Sequence, residues 1–491
     1  MITIVGGGLA GCEAAWQVAS RGLPVTLVEM RPLRATPVHK TGWLAELVCS
    51  NSFRGDKLDN AVGLLKEEMR RLDSLVMQVA DRCRVPAGAA LAVDRERFAS
   101  EVTAALASLA QVRIVRGEVT EIPPSTEQAP VIVATGPLTS DALAADVARL
   151  VGAEYLSFYD AISPIVLADS IDRAQVFRAS RWGRSLRAPR GTTGDAVAPA
   201  CGVDDGEGDY LNCPLTRDQY RQFYEALIRA ESATVHDFDR AKFFEGCLPI
   251  EVMAHRGVDT LRFGPMKPVG LADPRTAREP YAVVQLRQDN LAGDHFSLVG
   301  FQTQLKWGEQ ARVLRLIPGL ERAEFVRFGM VHRNTYVNGP VVLAETWQVR
   351  RRPSLFLAGQ MSGVEGYVES AASGLLAGIH AAALSRGEPL VSPPRTTAIG
   401  ALAYYVSHAD PARYDPTNVT FGIMEPLAHG PRGKAQRHIA MSERALAALA
   451  AWQPANQRPG HAAPREGAGG STPRPRDGDE RPDLATGSAV P

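Results

Sequence analysis

Met1-Ile2-Thr3-Ile4-Val5-Gly6-Gly7-Gly8-Leu9-Ala10-Gly11 opens the chain, and the reading of this stretch decides the fold. Ile2 to Val5 is a short apolar run of the kind that forms a buried parallel strand. Gly6, Gly8 and Gly11 follow at G-x-G-x-x-G spacing. In such a strand-to-helix turn the first glycine makes the bend and the second lets a pyrophosphate approach the backbone. The third lets the helix pack on the strand. Small and apolar residues from Leu9 to Ser20 suit a helix whose first N–H groups face that pyrophosphate. Residues 24–28 read as a second strand, closed by Glu29. That is roughly 20 residues past the glycines, where a carboxylate holds a ribose hydroxyl. The unit predicts a dinucleotide site built from Gly6, Gly7, Gly8, Leu9, Ala10, Gly11 and Glu29. A glycine-rich turn of another kind would leave Glu29 unexplained.

Around this unit stand 491 residues, 45% hydrophobic and 22% charged, enough for two domains. Lys plus Arg and Asp plus Glu number 54 each, so no global basicity advertises nucleic acid, and any polyanion would need a local patch. The strand at residue 2 leaves no room for a leader peptide, and no run reaches the ~20 apolar residues of a membrane span. A cytoplasmic protein is expected. Cys12, Cys49, Cys83, Cys201, Cys213 and Cys247 are scattered without a C-x-x-C, which argues against a metal site and against a disulfide framework.

Residues 31–59 show little periodicity and read as a long functional loop. A helix is expected over 60–82, and Asp94 is placed to cap another. Residues 112–115 and 119–122 look like strands, and Val131-Ile132-Val133-Ala134-Thr135-Gly136 like a buried strand whose end, at Gly136, passes a cofactor. From about residue 155 the pattern turns irregular, as an inserted domain would. Arg178, Arg181, Arg184, Arg187 and Arg190 recur every third residue, either as a solvated basic surface or as an anion-binding patch. Residues 184–208 read as a loop, followed by Tyr210-Leu211-Asn212-Cys213-Pro214-Leu215 and a helix over 216–231. Late in the chain an apolar strand at 355–358 opens onto Gly359-Gln360. Gly363-Val364-Glu365-Gly366-Tyr367 then leads into a helix with a small face of Ser370, Gly374, Ala377 and Ala381. A second glycine-rich turn this far downstream suits a discontinuous FAD domain. The expected fold class is therefore α/β, a Rossmann-like, glutathione-reductase-like FAD flavoprotein of the two-dinucleotide-binding type with an inserted α+β domain. The expected division is 1–155 with 325–453 for FAD, 156–324 for the insertion, and 454–491 as a disordered tail.

These stretches together resemble the folate- and FAD-dependent tRNA (uracil-5-)-methyltransferases, the TrmFO family. The match rests on G-G-G-L-A-G (6–11), L-V-C-S-N-S-F-R-G (47–55), Y-L-N-C-P-L (210–215) and F-E-G-C-L-P-I-E-V-M-A-H-R-G (244–257). T-L-R-F-G-P-M-K-P-V-G-L (260–271), V-V-Q-L-R-Q-D-N (283–290), V-G-F-Q-T-Q-L-K-W-G-E-Q (299–310), F-G-M-V-H-R-N-T-Y (328–336) and G-V-E-G-Y-V-E-S-A-A-S-G-L-L-A-G (363–378) complete it. The segment near 184–208 looks longer than the family's link, and the tail after 453 has no counterpart. The resemblance implies a cytoplasmic enzyme that makes 5-methyluridine at position 54 of the tRNA T loop. The carbon would come from 5,10-methylenetetrahydrofolate and the electrons from FAD recharged by NADH or NADPH. It also implies Cys213 as the thiol that attacks C6 of uracil and Cys49 as a second thiol, guarding the one-carbon unit and exchanging the C5 proton.

The residues can be weighed against that chemistry. C5 of uracil is a poor nucleophile until a thiolate adds at C6. Cys213-Pro214, read as a loop-to-helix junction, would give a thiol whose ionisation the helix N-terminus favours. For both cysteines the plain alternative is a buried, inert thiol. Gly359, Gln360, Gly363 and Val364 are expected to complete the flavin site. His332, Tyr336, Arg287 with Asp289, and Lys306 with Trp307 are candidate folate, RNA or substrate contacts, and Arg178, Arg181 and Arg184 candidate tRNA contacts. The nearest rival is the related MnmG/GidA family, which modifies the wobble uridine and carries a C-terminal helical domain. A plain flavin NAD(P)H oxidoreductase would want a redox cysteine pair, and a non-catalytic tRNA-binding flavoprotein would not need Cys213.

Overall fold

A computed structural model describes residues 1–36, 38–152, 156–161, 163–183, 208–232, 248–329 and 331–452, with backbone only for 156–161 and 331–335. Arg184, Arg187, Arg190, Cys201, Cys247, almost all of the 184–208 stretch and the 454–491 tail lie outside the described residues.

The opening stretch folds as read: Ile2–Val5 is a strand, Leu9–Ala19 a helix and Val25–Glu29 a strand parallel to the first, with Ile4 opposite Leu27. They form the centre of a six-stranded sheet in the order Gln348–Val349, Arg352–Leu357, Val131–Val133, Ile2–Val5, Val25–Glu29, Val112–Arg116. All pairings are parallel except that of the edge strand Gln348–Val349. Strands from opposite ends of the chain thus share one sheet, and both faces are covered, as a parallel sheet requires. The helix Tyr367–Ser385 lies against Leu9–Ala19 so closely that a Cβ on Gly374 would stand 2.1 Å from the carbonyl oxygen of Ala10. The small-residue face read in the sequence is the seam between this helix and the first one.

A second sheet is antiparallel throughout, in the order Phe177–Ala179, Tyr210–Leu215, Ala282–Gln288, His295–Leu298, Ile165–Leu167, Phe325–Arg327. It carries its own core, in which Leu211, Cys213 and Leu215 meet Tyr220, Phe223 and Leu227 of the helix Arg217–Ile228. Between the sheets, Leu156–Ala161 and Val331–Tyr336 run antiparallel, so the chain leaves and re-enters the parallel sheet along one paired ribbon.

Four local expectations change. The helix expected over 60–82 is two helices, Ala61–Arg71 and Leu75–Arg82, because Asp73 takes φ +61° and the Ser74 hydroxyl accepts the N–H of Met77 as a new cap. Residues 119–122 are not a strand, and the loop read over 31–59 ends in a strand, Ser52–Gly55, that pairs with Ala90–Val93. Cys213 does not sit at a loop-to-helix junction. Pairing with Ala282–Gln288 carries the strand through Leu215, and the helix starts only after Thr216, whose hydroxyl caps it.

Candidate functional site

The G-x-G-x-x-G turn opens into a cavity of about 450 Å³, inside the range typical of small-molecule sites. Gly6, Gly7, Gly8, Leu9 and Ala10 line it, with Glu29, Gly136, Gly359, Gln360, Cys49 and Arg287. Sequence reading placed all of these at a site, and the fold brings them together.

The turn has the geometry a diphosphate needs. A Cβ on Gly11 would stand 1.8 Å from the carbonyl oxygen of Gly6, so only glycine lets the helix begin there. Gly8 differs: no atom lies within 4 Å of where its Cβ would be, and the residue faces the cavity. The helix N-terminus therefore presents backbone N–H groups to open space. Glu29 accepts the N–H of Gly7 at 2.7 Å and both the backbone N–H and the Nε–H of Arg31, at 3.0 and 2.8 Å. Burial works against its charge, but Arg31's hydrogen bond and charge outweigh it and hold the carboxyl below the usual range. The carboxylate is thus fixed and ionised at the strand end, where it suits a ribose. Arg31 in turn reaches Glu46 at 3.2 Å. Beside them, burial and then the charge of Arg31 push His39 down to about 4, which leaves a neutral imidazole on the cavity wall.

Cys49 lies on the cavity wall in a loop held on every side. Arg95 donates to the carbonyl of Leu47 at 3.1 Å, and Arg327 donates to that of Val48. The N–H groups of Cys49 and Ser50 donate to the Tyr367 hydroxyl at 2.7 and 3.1 Å. Arg287 donates to the Ser50 hydroxyl at 2.7 Å and the Asn51 side-chain carbonyl at 2.9 Å. The Asn51 amide then bonds the carbonyls of Val93, Gln288 and Asp289. Asp289 pairs with Arg95 at 3.0 Å. Three guanidiniums therefore converge on the Cys49 loop from residues 95, 287 and 327. Positive charge of this kind stabilises negative charge on a reacting sulfur or on a ring beside it.

Other expected residues stand elsewhere. Cys213 is fully buried in the apolar core of the second sheet, and burial pushes its thiol well up rather than down. The expectation of a helix-activated thiol fails because the residue is a strand position facing that core. Gly363 and Val364 do not line the cavity. A Cβ on Gly363 would meet the Tyr414 hydroxyl at 2.0 Å, so this turn packs against Tyr414. Tyr336 is buried against Tyr414 as well. Lys306 is exposed and paired with Glu231 at 2.6 Å. Arg181 donates to the carbonyls of Val269 and Lys267 and to Gln285, so it braces its own domain. Arg178 sits on the strand Phe177–Ala179, away from the cavity, and the His332 side chain lies outside the described residues. Sequence reading missed Arg95, Arg327, Arg31 and His39, which carry no local pattern. It also missed Tyr367, which lay inside a quoted motif.

The profile of the family described as Glucose inhibited division protein A matches residues 1–389. A methylenetetrahydrofolate–tRNA-(uracil-5-)-methyltransferase TrmFO from Desulforudis audaxviator is 57% identical over 453 residues, covering 92% of this chain and 98% of the relative. The enzyme of that name from Streptococcus pyogenes is 54% identical, covering 91% of this chain and 97% of the relative. Among solved structures, GidA of Aquifex aeolicus in its form II crystal superposes with a TM-score of 0.66 at 16% identity, covering 93% of this chain and 73% of that one. The form I crystal gives 0.65 at 17%. That likeness is one of fold, whereas the TrmFO enzymes match in sequence over nearly their whole length: the chain belongs to the TrmFO family.

Proposed function

We propose that this chain methylates C5 of a tRNA uridine, using methylenetetrahydrofolate as one-carbon donor and FAD as cofactor. We assign the target to T-loop position 54, giving 5-methyluridine, and the reductant to NADH or NADPH. The observation that carries the reading is one cavity shared by the dinucleotide turn, Glu29 and a cysteine loop held by three guanidiniums. FAD and the folate, when bound, supply the electrons and the carbon. In this reading the N–H groups at Gly8 to Ala10 receive the diphosphate and Glu29 a ribose hydroxyl, while Gly136, Gly359 and Gln360 border the rest of the cofactor. Arg287 and its neighbours offset negative charge that develops on the uracil ring. Cys49, on the cavity wall with its backbone N–H tied to Tyr367, is assigned the exchange of the C5 proton.

Cys213 is proposed, on the family motif, as the thiol that adds to C6. Its burial means that the second sheet must open before it can react. The FAD-binding part is assigned to 1–155 and 325–453 and the substrate part to 156–324. Support comes from strands at both ends of the chain sharing the parallel sheet while the intervening ones form another. Purified protein with FAD and NADH would be given tRNA lacking 5-methyluridine and methylenetetrahydrofolate labelled in its one-carbon unit. Label at the T-loop uridine, lost in Cys49→Ala, supports the reading. Label at the wobble uridine, or none, defeats it. Normal transfer by Cys213→Ala removes that residue from the chemistry.

A further inference from the structure

Trp307 opens the helix Trp307–Leu314 and is 61% exposed, in a protein that buries most of its large apolar side chains. One face of its indole stacks on Phe328, with centroids 5.9 Å apart and planes 15° from parallel. Phe328 stacks in turn on Phe325 at 4.9 Å and 22°, and Arg315 closes the far end, 5.9 Å over the Phe325 ring. The ladder therefore has one closed end and one open end, and the open end is the free face of Trp307.

This ladder is rigidly built. The buried Gln310 donates to the carbonyls of Leu305 and Gly329, at 2.6 and 2.9 Å, and accepts the N–H of Gly329 at 2.8 Å. That side chain locks the segment before the helix to the segment carrying Phe328. Lys306, the residue before the helix, is paired with Glu231 at 2.6 Å and Arg312 on it with Glu309 at 2.6 Å, each cation about half exposed. The platform is also joined to the cavity. Arg327, between Phe325 and Phe328 in the chain, donates to the Val48 carbonyl beside Cys49.

We propose that the exposed face of Trp307 is a stacking platform for an unstacked base of the RNA substrate. The inference rests on the tRNA reading above. Recognition of single-stranded RNA proceeds by stacking splayed bases on aromatic faces, with basic side chains on the backbone. An aromatic ladder with one open end, tied to the reactive loop, has the chemistry of that partner.

The test is tRNA affinity of holoenzyme measured by filter binding, with FAD content and NADH oxidation as controls. Trp307→Ala should weaken tRNA binding about tenfold, the scale of one lost base stack, and leave both controls at the wild-type level. Trp307→Phe, which keeps a stacking face, should stay within about threefold of wild type. Wild-type affinity in Trp307→Ala, or equal losses in both variants, overturns the proposal. So does a changed oligomeric state with unchanged tRNA affinity, which would make the face a subunit contact. Failure of the wild-type protein to bind tRNA at all would instead strike the functional reading, and the two failures are distinct.

Discussion

Gly8 and Gly11 lie three residues apart in the same turn, yet alanine at the two positions should fail in different ways. At Gly11 the new Cβ would stand 1.8 Å from the Gly6 carbonyl oxygen, where contacts below 3.0 Å essentially never occur. The turn must open by more than 1 Å whether or not cofactor is present, at a cost of about 1–3 kcal/mol or more. At Gly8 the backbone has φ −76° and ψ −172°, which alanine adopts freely, and the added methyl meets nothing within 4 Å. Apoprotein stability should change by no more than about 1 kcal/mol, the scale of an N-cap exchange. The methyl instead occupies the space through which a diphosphate reaches the helix N-terminus. FAD affinity should fall about 10- to 100-fold, roughly 1.4–2.7 kcal/mol. Titrating FAD into deflavinated protein, with thermal unfolding of the same apo samples, separates the two. The reasoning is refuted if Gly8→Ala binds FAD like wild type, or if it destabilises the apoprotein as much as Gly11→Ala.

Removing the Arg327 guanidinium leaves the Val48 carbonyl without that donor, a loss of about 1–3 kcal/mol of order in the Cys49 loop. Arg327→Ala should lower kcat for methyl transfer about 10- to 100-fold while FAD binding stays within about threefold, and parallel loss of both in titration and turnover assays would contradict it. Lys66 is buried and donates to the carbonyls of Phe53 and Gly55 at 2.9 and 2.5 Å, and burial pushes its pKa down to about 7. Between pH 7 and 10.5 the unfolded chain then holds a proton that the native state lacks, so this group makes stability rise with pH, by up to about 1.4 kcal/mol per unit. Denaturant unfolding across that window should show a smaller rise in Lys66→Met than in wild type; identical slopes would mean that Lys66 stays charged. Cys213→Ser puts a hydroxyl into an apolar core and should cost about 1–3 kcal/mol by the same unfolding measurement, with little cost placing the residue in a wetter setting.

The parallel sheet was legible because its signals are local: an apolar run, glycines at fixed offsets and an acid at the strand end all fall within 29 residues. Cys49 was legible only through the surrounding motif, and the reason it is held in place was not legible at all. Arg95 and Arg327 approach its loop from distant parts of the chain with nothing in their own neighbourhoods to mark them, and the motifs around Arg287 and Tyr367 do not show that these residues reach that loop. Cys213 shows the opposite failure. Pro214 and Thr216 look locally like a helix start, but a strand some 70 residues downstream pairs with 210–215 and turns the thiol inward. The break at Asp73 was hidden because the apolar spacing continues across it.

The contacts around Cys49 also bear on how the protein is made. The flavin turn and the thiol leave the ribosome within the first 49 residues, but the sheet beside them gains Arg352–Leu357 only much later. The hydroxyl that ties down the Cys49 backbone belongs to Tyr367, and the helix that seals the turn begins there. During synthesis the reactive loop thus emerges long before Arg287, Arg327 and Tyr367 can restrain it and stays open to oxidation in the meantime. Stalled nascent chains ending before residue 352 should accordingly fail to retain FAD, while chains released beyond residue 385 should hold it. Retention by the shorter chains would show that the first half of the sheet closes the site unaided.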